Sequence, residues 1–248
     1  HATFLAMRGI TGPREVFEGT KGFMEAIAGP FDLAWDKEDL ERVTRTIVKR
    51  YNAEIHGQAA IEALLELAHG HGVGAADVEA IEVDIFDVAY HIIGGGEEGD
   101  KTVVRTKEEA DHSLQYILAV ALLDGQVMPE QYAPERIRRD DVQALLRRVV
   151  VRPDPALSRR FPAEHACRVT LLLRDGRRLK REKADYEGFH TRPMSWETVS
   201  RKFERLGAPH ADGERRRQVI DAVAHLEDLN STELTRVLAA VRAPPDDR

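Results

Sequence analysis

Apolar positions recur at helical spacing over much of this chain. Residues 56–72, HGQAAIEALLELAHGHG, repeat apolar side chains at intervals of three and four and end in glycine, which predicts an amphipathic helix. The same periodicity predicts one continuous helix over 109–125, another over 140–148, and helices from Pro193 to the end. Ser195 stands where a helix cap is expected. Together with the helical periodicity of the opening HATFLAMRG, these helices dominate both ends of the chain.

Alternation of apolar and polar residues predicts strands in the middle of the chain. It occurs in VTRTIVKRY (43–51), in IEVDIFDVAY (81–90) and in the short stretch VVVRP (149–153). Residues 168–185 contain two alternating runs on either side of Asp175–Gly176, a pair typical of a type I′ turn. We therefore predict a hairpin there and a sheet with at least three elements.

The order helices, mixed segment, helices predicts an α+β fold in which a mixed α/β domain is inserted into an all-helical one. We place the end of the first helical segment at 1–44, the inserted domain at 45–190 and the returning helices at 191–248. The opening HATFLAMRG has helical periodicity but no capping residue before it. We therefore expect the chain to begin inside a longer protein, with its helical domain incomplete.

Composition narrows the classes of partner. The 248 residues are 42% hydrophobic and 32% charged, with a net charge of −7, which argues against general affinity for nucleic acid or anionic membranes. No apolar run approaches the roughly 20 residues of a membrane span. The single Cys167 excludes an intramolecular disulfide and fits a reducing cytoplasm. We expect a cytoplasmic protein in which local cations attract any anionic ligand.

Lys49 and Arg50 are adjacent in the predicted strand 43–51, so their side chains should point to opposite faces. Either both reach solvent, or one is a buried ammonium aimed at a carboxylate. His56 stands near the start of the helix 56–72, where the helix dipole favours neutral imidazole. It could exchange a proton near neutral pH, or it could be an ordinary residue of the first turn.

His112 and Tyr116 are spaced i, i+4 on the otherwise apolar helix 109–125 and should share one face. Such polar groups are either satisfied within the core or contact a ligand that enters the protein. Among the remaining histidines, His69 and His71 lie too far around their helix to ligate one metal together, and no Cys or acidic partner supports them.

Four long segments carry a resemblance: HATFLAMRGITGPREVFEGTKGF, IVKRYNAEIHGQAAIEAL, TKEEADHSLQYILAVALLDG and GFHTRPMSWETVSRKF resemble the MmgE/PrpD family. The resemblance implies a helical domain with an inserted α+β lid, here the C-terminal portion of the family's length. It implies a lyase, most simply one that dehydrates 2-methylcitrate or a related 2-hydroxy tricarboxylate. It also implies a homodimer with a small polycarboxylate as substrate, without cofactor or metal.

The resemblance implies specific site residues. Lys49 in IVKRY, His56 in AEIHGQ, and His112 with Tyr116 in HSLQY match catalytic positions of the family, while Lys49, Arg50 and Tyr116 are the expected substrate contacts. Which of His56, His112 and Tyr116 acts as acid and which as base stays open.

Several functions are compatible with these residues. Dehydration needs a base for a C–H proton, an acid at the leaving oxygen and cations for the carboxylates. Decarboxylation, epimerisation or hydrolysis of a related polycarboxylate are alternatives within the family. A further hypothesis is a non-catalytic fragment, because the family's acidic and histidine motifs from the N-terminal half do not occur in this chain.

Overall fold

The computed structural model describes residues 1–32, 34–239 and 241. Its α-helices are α1 (Ala2–Met7), α2 (Gln58–His71), α3 (Asp87–Ala89), α4 (Lys107–Asp111), α5 (Leu114–Asp124), α6 (Pro134–Ile137), α7 (Asp140–Leu146), α8 (Pro155–Ser158), α9 (Trp196–Gly207), α10 (Gly213–Ala224) and α11 (Ser231–Ala239). Shorter 3-10 and π turns occupy Met24–Ala28, Trp35–Lys37, Arg42–Arg45, Ile55–Gly57, Tyr90–Gly94, Pro129–Tyr132 and Leu226–Asp228. The strands are β1 (Val78–Ile85), β2 (Val149–Pro153), β3 (Cys167–Leu173) and β4 (Arg178–Lys183).

In the described residues the strands form one mixed sheet in the order β2-β1-β3-β4. β1 pairs in parallel with β2, while β3 runs antiparallel to both β1 and β4. The predicted α+β class is confirmed. Because the first and second strands are parallel, the chain between them must cross over, and α5 lies in that connection.

The sheet has one apolar and one charged face. Val83 pairs with Val169 and Ile81 with Leu171, and all four side chains are buried on the face against which α2 and α5 pack. On the opposite face Arg168 lies 3.2 Å from Asp84 and 3.0 Å from Glu182. This two-layer arrangement is why α2 and α5 are apolar on most of their surfaces.

Several predicted elements are confirmed. The helix within 56–72 ends at His71. Gly72 follows it in the left-handed conformation, with a φ of 62°, which glycine adopts readily. Ser195 caps α9, its hydroxyl accepting a hydrogen bond from the Thr198 N–H at 3.1 Å. The hairpin of β3 and β4 is present, but the predicted type I′ turn is wrong. Gly176 has a φ of 86°, whereas Asp175 does not have the positive φ that a type I′ turn also needs.

The predicted strand over 43–51 is wrong. Arg42–Arg45 forms a 3-10 turn and the following residues are irregular, with Val43 and Val48 largely exposed. β-branched residues favour a strand only where a neighbouring strand and a packed face are available. Here one backbone hydrogen bond, from the Val48 N–H to the Gly188 carbonyl at 2.7 Å, anchors the segment.

The predicted continuous helix over 109–125 is also wrong, because it breaks at His112. Thr106 and Glu109 form a capping box at the start of α4, and Ser113 caps α5 by accepting from the Tyr116 N–H at 3.0 Å. His112 therefore ends one helix while Tyr116 lies in the first turn of the next. The two side chains do not share a helix face.

Contacts between Cα atoms divide the chain into two units, His1–Arg45 and Thr46–Arg248. The first unit contains α1 and the turn Met24–Ala28, and several of its large apolar side chains are exposed, among them Met7 and Ile27. The second contains the sheet and the helices packed on it. Within the described part of the chain, no helix combines the length and apolarity needed to cross a membrane.

Candidate functional site

A buried glutamine shapes the irregular loop that follows Lys49. The Gln58 side chain, at the start of α2, is fully buried; its oxygen accepts from the Tyr51 N–H at 2.9 Å, and its amide donates to the Tyr51 carbonyl at 3.1 Å and the Ala53 carbonyl at 3.3 Å. The Asn52 N–H donates to the Val127 carbonyl at 2.9 Å. Backbone groups that a strand would have paired are thus satisfied by one side chain and a neighbouring loop.

This loop forms one wall of a cavity of about 760 Å³. The other walls come from α4, the segment 129–133 and the C-terminal half of α9. The lining residues are Lys49, Tyr51, Asn52, Ala53, Glu54, Ile55, Lys107, Asp111, His112, Pro129, Tyr132, Ala133, Lys202 and Leu206. A cavity of this size accommodates a small organic acid.

Two lysines meet on one side of the cavity. Lys49 is exposed rather than buried, so the hypothesis of a desolvated ammonium at this position is wrong. Lys202 on α9 is the partly buried one: its ammonium donates a hydrogen bond to the Lys49 carbonyl. Burial, and secondarily the charge of Lys49, lowers the pKa of Lys202 below its ordinary value.

The break between α4 and α5 brings His112 to the cavity beside Asp111. The His112 Nδ1 lies 2.5 Å from Asp111 Oδ1, and Asp111 Oδ2 is 2.5 Å from the Lys107 ammonium. Burial alone would raise the pKa of Asp111, but the hydrogen bonds from Lys107 and His112 outweigh it and hold that pKa below its usual range. Asp111 is therefore ionised and orients an imidazole that is about half exposed (52%).

A second carboxylate–imidazole pair lies in the same wall. Glu54 lines the cavity, and its Oε1 is 2.8 Å from the Nδ1 of His56. The His56 ring contacts Phe86 and His165, with ring centroids 5.5 and 5.4 Å away. Burial raises the pKa of Glu54, but the His56 hydrogen bond and charge prevail and lower it overall. His56 thus contacts the cavity wall through Glu54.

Tyr116 lies in the core, whereas its neighbour Tyr132 lines the cavity. The Tyr116 hydroxyl donates to the Gln131 carbonyl, and its ring is 6.1 Å from that of Tyr132. Burial raises the pKa of both phenols, so both stay protonated at neutral pH. Among the described residues, neither the buried Tyr132 hydroxyl nor the buried Asn52 Oδ1 has a hydrogen-bond partner. Both residues line the cavity, although these two oxygen atoms are themselves buried.

Arg50 does not line this cavity; it lines a neighbouring one of about 620 Å³. Its guanidinium pairs with Glu187 and lies 3.9 Å from Glu62. Tyr51 and Lys202 belong to the walls of both cavities. Lys49 and Arg50 thus line different cavities, but the strand from which opposite directions were predicted does not form.

The structure brings Lys49 and His112 of the predicted residues to one cavity, with His56 reaching its wall through Glu54. Lys107, Asp111 and Lys202 were missed. The Lys107–Asp111 ion pair could have been found from its i, i+4 spacing, but nothing local marks Lys202. In the residues that the structure describes, no group of three or more His, Cys, Asp and Glu side chains is arranged to hold a metal ion.

A family model described as the MmgE/PrpD C-terminal domain matches residues 51–228. Cis-aconitate decarboxylase of Mus musculus is 26% identical over 253 residues, covering 96% of this chain and 49% of that protein. The 2-methylcitrate dehydratase of Cupriavidus necator is 35% identical over 152 residues, covering 57% of this chain and 30% of that protein. That of Salmonella typhimurium is 29% identical over 149 residues. The chain spans about half of the length of the first relative and less of the other two.

Proposed function

Because the chain belongs to the MmgE/PrpD family through its C-terminal domain, we propose that it supplies the polycarboxylate-binding and proton-transferring wall of a lyase site. One observation carries the proposal: a single cavity combines the Lys49 and Lys202 ammoniums with the Asp111–His112 pair. The named relatives, a dehydratase and a decarboxylase, are both lyases.

The cations give the cavity its preference for anions. A chain with a net charge of −7 repels a polyanion at long range, so binding must depend on local ammonium groups. Lys107 is compensated by Asp111, whereas within the described residues Lys49 and Lys202 have no carboxylate at ion-pair distance. These two side chains are the proposed carboxylate contacts.

The Asp111–His112 pair supports a base. In the neutral tautomer of His112 whose Nδ1–H faces the ionised Asp111, the Nε2 lone pair is available to take a proton. In the dehydration of a 2-hydroxy tricarboxylate, such as 2-methylcitrate, His112 would take the C–H proton next to a carboxylate. The electron pair forms the carbon–carbon double bond as hydroxide departs, protonated to water by an ammonium of the cavity wall.

Decarboxylation is the second candidate reaction. The decarboxylase relative is matched over 96% of this chain, whereas the dehydratase relative with the higher identity is matched over 57%. In that reaction a C–C bond breaks with loss of carbon dioxide, and an acid then protonates the resulting carbanion. The same lysines would hold the remaining carboxylates, so the proposed binding site is common to both reactions.

The test replaces Lys49 by Met, which keeps the length of the side chain and removes its charge. Turnover of 2-methylcitrate, citrate and cis-aconitate is followed by ultraviolet absorbance of the unsaturated product and by release of carbon dioxide. We expect Lys49→Met to lower kcat/KM by a factor of about 10–100, the range for losing a charge-assisted hydrogen bond. Lys180→Met, on the exposed side of β4, is the matched control.

Four outcomes separate the possibilities. Double-bond formation without carbon dioxide supports dehydration, and carbon dioxide release supports decarboxylation. Undiminished turnover by Lys49→Met would refute the role of that lysine. A protein that neither binds nor converts any of the three acids would refute the proposed function.

A further inference from the structure

Lys202 on α9 lines the same cavity as Lys49. We infer that the Lys202 ammonium, fixed beside Lys49 by the Lys49 carbonyl, makes the cavity selective for ligands with several carboxylates. The inference rests on the proposed function and deepens it, because it assigns a specificity-determining residue from α9 to the same cavity.

The hydrogen bond to Lys49 fixes the position of the Lys202 ammonium without neutralising it. An ammonium has three donors, and the Lys49 carbonyl takes one of them. The remaining donors belong to a side chain that lines the cavity. A long, flexible lysine normally loses rotamer freedom when it binds an anion, but here the backbone contact has already restricted it.

Charge compensation separates Lys202 from the other partly buried lysines. Lys183 pairs with Glu62 and lies 2.6 Å from Glu66, and Lys101 is 3.1 Å from Glu98. Among the described residues, no carboxylate lies within ion-pair distance of Lys202. A partly buried cation without a counter-ion is electrostatically costly, and a ligand carboxylate removes that cost.

The location of Lys202 predicts how affinity depends on the ligand. An acid with one carboxylate can be held by the exposed Lys49 alone. An acid with two or three carboxylates can occupy Lys49 and Lys202 together, so its binding gains a second charge-assisted contact. Removing the charge of Lys202 should therefore weaken a polycarboxylate much more than a monocarboxylate.

The experiment measures binding of tricarballylate and butyrate by isothermal titration calorimetry. Tricarballylate has three carboxylates and no hydroxyl group, so dehydration cannot consume it, while butyrate has a single carboxylate. We expect Lys202→Met to weaken tricarballylate binding about tenfold or more, as for loss of a hydrogen bond to a charged group, and to change butyrate binding less than twofold. Lys202→Arg should retain affinity within about threefold because it keeps the charge.

Lys180→Met serves again as the matched control and should bind tricarballylate like the unmodified protein. Equal tricarballylate affinity of Lys202→Met and the unmodified protein would overturn the inference, as would equal weakening of both acids. If Lys49→Met weakens binding and Lys202→Met does not, the proposed function stands and this inference falls. If the unmodified protein binds neither acid, both are refuted.

Discussion

The buried imidazole of His165 makes a sharp prediction about stability and pH. Its ring is enclosed by aromatic rings, with centroids of Phe189, His56 and Phe86 at 4.9, 5.4 and 5.5 Å, and only 6% of the residue is exposed. Burial, and then the neighbouring charge of His56, lowers the pKa of His165 from 6.5 to about 4. The perturbation we consider is acidification from pH 7 to pH 5.

Acidification destabilises the folded protein because the unfolded chain binds the proton of this histidine more readily. Between pH 6.5 and 4 the unfolded chain protonates this histidine while the folded protein keeps it neutral, so the unfolded state binds more protons. Stability is therefore retained above pH 6.5 and lost as the pH falls through that window. A pKa difference of this size between the unfolded and folded states lowers the free energy of unfolding by about 2 kcal/mol from pH 7 to pH 5. The loss reaches about 3 kcal/mol once the folded protein is protonated as well.

The assay compares urea unfolding of the unmodified protein and His165→Phe at a series of pH values. Phenylalanine keeps an aromatic ring in the cluster and removes the titrating group. Other groups contribute equally to both proteins, so the difference between their free energies of unfolding should change by about 2 kcal/mol from pH 7 to pH 5. His71→Gln, at the exposed end of α2, is the control: the difference between its free energy of unfolding and that of the unmodified protein should change little with pH. Parallel curves for the unmodified protein and His165→Phe would refute the buried, neutral histidine.

Two further predictions concern residues that stabilise the fold around the two cavities. Gly188→Ala should destabilise the protein by about 2 kcal/mol or more and weaken tricarballylate binding, because Gly188 has a φ of 114° and a Cβ there would lie 2.1 Å from the Val48 carbonyl oxygen. Gly70→Ala in α2, with no heavy atom within 4 Å of the new Cβ, should instead stabilise by up to about 1 kcal/mol; thermal unfolding distinguishes the two, and equal effects would contradict the argument. Glu62→Ala should cost about 3 kcal/mol in urea unfolding because it leaves Lys183 and Arg192 without their shared buried carboxylate. Glu197→Ala, in an exposed pair with Arg201 at 3.2 Å, should cost less than about 1 kcal/mol, and a similar loss in both variants would show that burial does not matter here.

Much of the fold could be predicted from local patterns. The helix α2, the strand β2 and the β3–β4 hairpin lie where periodicity indicated, because each buries one face against the others. The strand predicted over 81–90 is right only in part, since β1 ends at Ile85 and helical turns begin at Asp87. The strand predicted over 43–51 is wrong because the β-branched residues of this segment have no strand to pair with. Apolar periodicity does not indicate the break at His112, whereas Ser113, a capping residue directly before an apolar run, does.

The candidate site was predictable only in part. Lys49 and His112 do line one cavity, but the shared helix face invoked for His112 and Tyr116 does not exist. Lys202 lies 153 residues after the Lys49 carbonyl to which it donates, and no local pattern reports a contact across that separation. Burial of Tyr116 likewise depends on Gln131, which belongs to another turn.

The partner of the Lys202 ammonium is a peptide carbonyl, which every amino acid at position 49 would also present. The side chain at that position can therefore change during evolution without displacing the cation on α9. Under the proposed function, the attraction for carboxylates and the chemistry performed on them can therefore diverge independently, and homologous proteins can keep one anchoring charge while acquiring new reactions.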